Sequence, residues 1–135
     1  MGISVEEYRK LIAKSNGGKS AASEHDLQVS CVNWFRLMYP DYAKLLFAIP
    51  NGGYRTPTTA RYMKAEGQQS GVPDMMLAVP RHKSHGLWIE MKNGKAGRVS
   101  ENQTEMMRQL WNQGYECRIA RSIDDFMTII QEYLD

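Results

Sequence analysis

Between residues 23 and 40 the apolar side chains return at spacings of three and four. Leu27, Cys31, Trp34, Phe35 and Met38 share one face, which predicts an amphipathic helix. Ser23 offers an N-cap oxygen and Asp26 the reciprocal capping-box carboxylate, and Pro40 stops the helix by removing a backbone donor. Residues 4–14 repeat the pattern on a smaller scale, with Val5, Tyr8 and Ile12 on one face and Ser4 and Glu7 as the capping box. The small polar run 15–23, SNGGKSAAS, reads as a flexible linker. It contains Gly18-Lys19-Ser20, but Ala13 stands where a P-loop needs its first glycine and no strand precedes it, so a P-loop is rejected.

The pattern then shortens. LLFAI at 45–49 reads as a buried strand and PNGGYR at 50–55 as a turn. Thr56-Pro57 makes an N-cap and first helical position, and Gly67 a stop, for a helix over about 57–66 that carries Arg61 and Lys64. PDMMLAVP and GLWIEMK read as two strands joined by RHKSH. Residues 93–99, NGKAGRV, read as a flexible basic loop. Ser100 and Gln103 form a further capping box for a helix ending near Gln113, with Gly114 as its stop. YECRIA at 115–120 alternates as a strand, and 122–133 closes the chain as a helix. Strands interleaved with helices predict an α/β domain over 23–135 with a mixed central sheet flanked by helices, preceded by the helix and linker of 1–22.

A chain of 135 residues suits one such domain. Seventeen basic and fifteen acidic residues leave a net charge of only +2, so a nucleic-acid partner has to be argued from local clusters. Neither of the two cysteines, Cys31 and Cys117, belongs to a CxxC pair, and nothing in the spacing supports a disulfide. No apolar run reaches membrane-span length, no secretory signal is visible, and Glu6 breaks a myristoylation pattern. A cytoplasmic protein with free thiols is expected.

The chemistry concentrates in the paired strands. A hairpin centred near His82 sets Met76 opposite Trp88, Ala78 opposite Gly86 and Asp74 opposite Glu90. Lys92 then lies on the same face as Glu90, one pleat along. Two carboxylates at that separation repel unless a cation lies between them. Their hard oxygens, with the Met91 carbonyl as a third donor, suit Mg²⁺ or Mn²⁺, which acidifies water into a nucleophile. Lys92 could orient that water and offset charge on a phosphate. Glu24 and Gln28 are one turn apart at the start of the first long helix; the spacing fits the edge of a site and plain capping or solvation equally well.

Taken in order, Glu24, IPNGGYR at 49–55, GVPD at 71–74, EMK at 90–92 and Ser100 to Gln103 resemble the motifs of the virus-type replication-repair nuclease (VRR-NUC) family. That family belongs to the PD-(D/E)xK superfamily, and the resemblance covers about residues 23–133. It implies a restriction-endonuclease-like core and a metal-dependent deoxyribonuclease. Glu24, Asp74 and Glu90 would be the acidic metal-site residues, Lys92 the catalytic lysine, and Gln103 an accessory group facing substrate or Lys92. It further implies a homodimer acting on branched DNA in the manner of Holliday-junction resolvases, in a phage or bacterial setting.

DNA needs positive charge near such a site. Arg55, Arg61, Lys64, Lys95 and Arg98 are the candidates, with Gly52, Gly53, Gly94 and Gly97 permitting close backbone approach; the bland alternative is a solvated charged face. Glu90 and Lys92 likewise could be a surface ion pair of little worth. The HxxH of His82 and His85 lacks a third ligand nearby and is read as an exposed turn. Trp34, Trp88, Trp111 and the nine methionines are read as core or interface filler. From a different class comes the alternative of a non-catalytic DNA-binding or assembly module on the same fold.

Overall fold

A computed structural model describes residues 23–50 and 55–135. The helix and linker expected over 1–22, and Gly52 and Gly53 of the turn, lie outside the described residues. The first capping box forms as expected: Ser23 Oγ accepts the Asp26 N–H at 3.1 Å, and Asp26 Oδ2 accepts the Ser23 N–H at 3.4 Å. Helix α1 (Glu24–Met38) follows and buries Leu27, Cys31, Trp34 and Phe35. Pro40 ends it but also opens a 3-10 helix, Pro40–Leu45, that hydrophobic periodicity does not announce. The remaining elements are β1 (Leu46–Ala48), α2 (Pro57–Ala65), β2 (Met75–Leu77), β3 (Leu87–Met91), α3 (Glu101–Asn112), β4 (Glu116–Ala120) and α4 (Ile123–Leu134).

The sheet is mixed, in the order β1-β2-β3-β4. β1 and β3 run antiparallel to β2, while β4 runs parallel to β3 with α3 as the crossover between them. The central pairing has the expected register, with Met76 opposite Trp88. It is shorter than expected, ending at Leu77↔Leu87 and at Met75↔Ile89. The Ala78–Gly86 pair is therefore no ladder pair. At the tip Arg81 bridges Ser84, and His82 and Lys83 both take positive φ, 51° and 70°. The arm 78–80 is one residue longer than 85–86, so one residue bulges out of the pairing.

One face of the sheet carries Met75, Leu77, Leu87, Ile89 and Met91, all fully buried. It packs on α1 and α4, where the Trp34 ring meets Phe126 edge-on at 6.0 Å and the Tyr133 hydroxyl donates to the Val79 carbonyl at 2.6 Å. Burying each such aromatic contributes about 1.5–3 kcal/mol. The alternate residues Met76, Trp88 and Glu90 face the other way, under α3. That cover is thin, because α3 buries none of its own residues fully and leaves Trp111 58% exposed. Trp34 is thus core and Trp111 surface. No helix among the described residues is long and apolar enough to cross a membrane.

Candidate metal centre

Strand alternation aims Met91 into the core and Glu90 at α3. Glu90 is a buried acid, only 2% exposed. Its Oε2 accepts from the Gln103 amide at 2.8 Å and lies 3.4 Å from Lys92 Nζ. Its Oε1 is buried with no hydrogen-bond partner. Gln103 is fixed from its other end, since its Oε1 accepts the Ser100 N–H at 2.9 Å in the second capping box. One side chain therefore caps α3 and holds Glu90. Gln103, expected to face substrate or Lys92, lines the cavity beside Lys92 and bonds the carboxylate there.

Asp74 arrives through Gly71-Val72-Pro73. Gly71 has φ +87°, and a Cβ there would stand 2.5 Å from the Asn102 carbonyl oxygen. Only glycine lets this segment cross the first turn of α3 so closely. Asp74 itself precedes β2, and its Oδ2 accepts the Met91 N–H at 2.8 Å. The carboxylate thus caps the end of β3 and faces Glu90 beyond the ladder's last pair. Burial first, then the Asp74 charge, pushes the Glu90 carboxyl up to about 7 against the pull of Lys92, and Glu24 adds to the rise. Burial also raises Asp74, opposed by its bond to Met91 N–H, by Lys92 and by a side-chain hydrogen bond with Glu90. Two adjacent carboxylates, one raised by the other's charge, and a buried oxygen without a partner are a donor set that a hard divalent cation would fit.

Asp74, Glu90, Lys92, Gln103 and Glu24 all line one cavity of about 420 Å³. Glu24 stands apart from the two inner acids: among the described residues no three His, Cys, Asp or Glu groups converge closely enough to hold an ion. Gln28 does not accompany it but lines a separate hollow with His25 and Arg36. Of the basic candidates Lys64 lines the cavity, while Arg61, Lys95 and Arg98 are exposed outside its lining. The Arg55 guanidinium is bonded within the protein, to Gln68 Oε1 at 2.9 Å and the Pro50 carbonyl at 3.2 Å.

Two groups that sequence reasoning missed organise the surroundings. Arg121, at the end of β4, donates to the carbonyls of Gly94 and Gly97, and its own carbonyl accepts the Gly94 N–H. The basic loop expected to be flexible is therefore pinned. Its Gly97 lies against Lys92, where a Cβ would be 3.1 Å from the Lys92 Cβ. Gln68 is the second: it joins Pro50, Arg55 and the cavity wall. Neither carries a local signal, because each works through contacts distant in sequence.

The VRR-NUC domain model matches residues 19–124. The chain belongs to the VRR-NUC family. A solved structure titled "VRR_NUC domain protein" superposes with a TM-score of 0.75 at 24% identity, covering 85% of this chain and 90% of that one. No curated protein matches the chain. The family is one of nuclease-type fold, and in this VRR-NUC domain the GVPD, EMK and Ser100–Gln103 segments, far apart in sequence, meet at one cavity. The strand pair provides the acids, α3 braces Glu90, and the end of β4 secures the loop beside Lys92.

Proposed function

We propose that this chain is a Mg²⁺- or Mn²⁺-dependent deoxyribonuclease that hydrolyses phosphodiester bonds at the Asp74–Glu90–Lys92 cavity. The observation that carries the reading is Glu90: a buried carboxylate whose Oε1 has no partner, beside a second carboxylate whose charge opposes its own. Asp74, Glu90 and the Met91 carbonyl would hold the ion, with Glu24 completing or extending the set from the cavity rim. A divalent ion there supplies Lewis acidity and an acidified water.

The chain's own groups supply the rest. Gln103 donates to Glu90 Oε2 and so leaves Oε1 as the oxygen without a partner, which an ion would use. The Met91 N–H keeps the Asp74 carboxylate from rotating. Lys92 is held at Glu90 with its side chain only 14% exposed, where it can orient the attacking water and offset charge on the phosphate. Lys64 brings a cation to the cavity wall, and Arg61, Lys95 and Arg98 extend the positive surface for the DNA backbone. Arg55 acts instead through Gln68, as a brace.

The finer reading is a homodimer that cuts branched DNA in the manner of a Holliday-junction resolvase, in the cytoplasm of a bacterial or phage-infected cell. A labelled panel of single strand, duplex, flap, splayed arm and four-way junction tests it, with Mg²⁺, Mn²⁺ or EDTA and with Asp74→Asn alongside. Symmetric metal-dependent cuts in the junction, absent in Asp74→Asn, are expected. Cutting confined to flaps or ends would keep the nuclease and remove the resolvase. DNA binding with no cutting on any substrate would put a non-catalytic module in its place.

A further inference from the structure

We propose that a second hollow, beside the cavity and walled by Ile49, Met63 and Val72, takes one unstacked nucleobase of the DNA strand being cut. The proposal rests on the nuclease reading above and adds to it the kind of position in DNA that the site prefers. The hollow encloses about 350 Å³, within the ~300–1,000 Å³ usual for small-ligand sites. Its lining combines the apolar Ile49, Met63 and Val72 with the polar Glu66, Gln68 and Gln69. That is the chemistry of a base: apolar on both faces, with donors and acceptors around the edge.

The hollow adjoins the cavity across a common wall. Gln68, Gln69 and Val72 line both. Gln68 cannot swing out of this shared wall freely, because its Nε2 donates to the Pro50 carbonyl at 3.1 Å and its Oε1 accepts from Arg55 at 2.9 Å. On α2 the adjacent residues Met63 and Lys64 divide the two spaces, Met63 lining the hollow and Lys64 the cavity. A nucleotide has the same layout, with an anionic phosphate joined through one sugar to a flat ring. Phosphate near Lys64 and base against the Met63 thioether satisfies both. Gly67 also lines the hollow, and nothing lies within 4 Å of its Cβ position.

A base in a continuous duplex is stacked on both sides and must be extruded to enter, whereas an unpaired or mismatched base enters at little cost. The hollow thus selects strands with an unpaired nucleotide next to the scissile bond.

Two substitutions test this, one in the DNA and one in the protein. An abasic residue is scanned through a single strand across the cut, and Met63→Trp fills the hollow with the protein's own ring. Wild type should lose about tenfold or more in cleavage at one abasic position only, and Met63→Trp should be slow on intact DNA and indifferent to that abasic residue. Activity of Met63→Trp on the abasic strand, equal to wild type, shows that the variant is folded. In EDTA, 2-aminopurine at the same position should brighten several-fold on binding wild type and not Met63→Trp. Cleavage indifferent to every abasic position, with no 2-aminopurine response, would overturn the base site and leave the nuclease standing. A 2-aminopurine response that Met63→Trp abolishes, in a protein that cuts nothing with any metal, would keep the base site and overturn the nuclease.

Discussion

Glu90→Gln is expected to lower cleavage by on the order of 10²–10³-fold or more and yet to stabilise the metal-free protein at pH 8. The two effects have one origin. Glu90 titrates at about 7 in the folded chain because burial and Asp74 oppose its charge, against ~4.3 in an unfolded chain. Between those values the folded state holds a proton that the unfolded state has released. Stability is therefore fullest below about pH 4.5, falls as pH rises through the window, and is lowest above pH 7. The difference approaches ~4 kcal/mol for this one group. Glutamine carries no proton to lose and stays bondable to Gln103, so its stability should not fall through that window. Losing the Lys92 partnership offsets part of the gain, leaving about 1–2 kcal/mol. Urea unfolding in EDTA at pH 5 and pH 8 checks it. A variant less stable than wild type by the same amount at both pH values would show that Glu90 is a structural ion pair and not a charge held for a ligand.

Gly71→Ala is expected to cost both stability and cleavage, through α3. At φ +87° an alanine carries about 1–3 kcal/mol of backbone strain. Its methyl would also meet the Asn102 carbonyl at 2.5 Å and the Gln103 nitrogen at 3.0 Å. These are backbone atoms of the turn that aims Gln103 at Glu90, so relief of the clash moves the brace. Gly94→Ala is the matched control, because Gly94 has φ +70° and open space around its Cβ position. Urea midpoints should show Gly71→Ala costing clearly more than Gly94→Ala, and single-turnover cleavage should fall about 10²-fold in Gly71→Ala, as for a catalytic group displaced by ~1 Å. Equal costs for the two substitutions, with cleavage intact, would remove the close crossing of α3 from the account.

What the sequence displays and what it hides divide along the range of the contacts. The register of β2 on β3 was legible because Met75, Leu77, Leu87 and Ile89 must all face one core, and a slip of one residue would turn them to the other face. That register carries Asp74 and Glu90 to the same place, so their proximity followed from the hairpin centred near His82 together with the alternation that forbids a one-residue slip. The caps at Ser23, Thr56 and Ser100 were legible for the same local reason. The 3-10 helix after Pro40 and the bulge before the hairpin tip were not, because no periodic pattern distinguishes so short a segment. Nor was the Glu90 partner of Gln103: the residues alone show a capping box, the family resemblance gives it a site role, and only the fold brings Glu90 to its amide. Arg121 and Gln68 were invisible, since what they hold is backbone from distant turns. The basic residues were the least legible, because charge alone does not separate Lys64 in the cavity wall from Arg55, which is bonded to Gln68 and Pro50.

The central claim is that Asp74 and Glu90 form a divalent-metal centre that Lys92 makes catalytic. Calorimetric titration of Mn²⁺ into wild type, Asp74→Asn and Lys92→Met tests it most directly, with cleavage measured on the same samples. The account predicts Mn²⁺ binding by wild type that is lost in Asp74→Asn and kept in Lys92→Met, while both variants lose cleavage. Mn²⁺ binding unchanged in Asp74→Asn, or full cleavage by Lys92→Met, would contradict it.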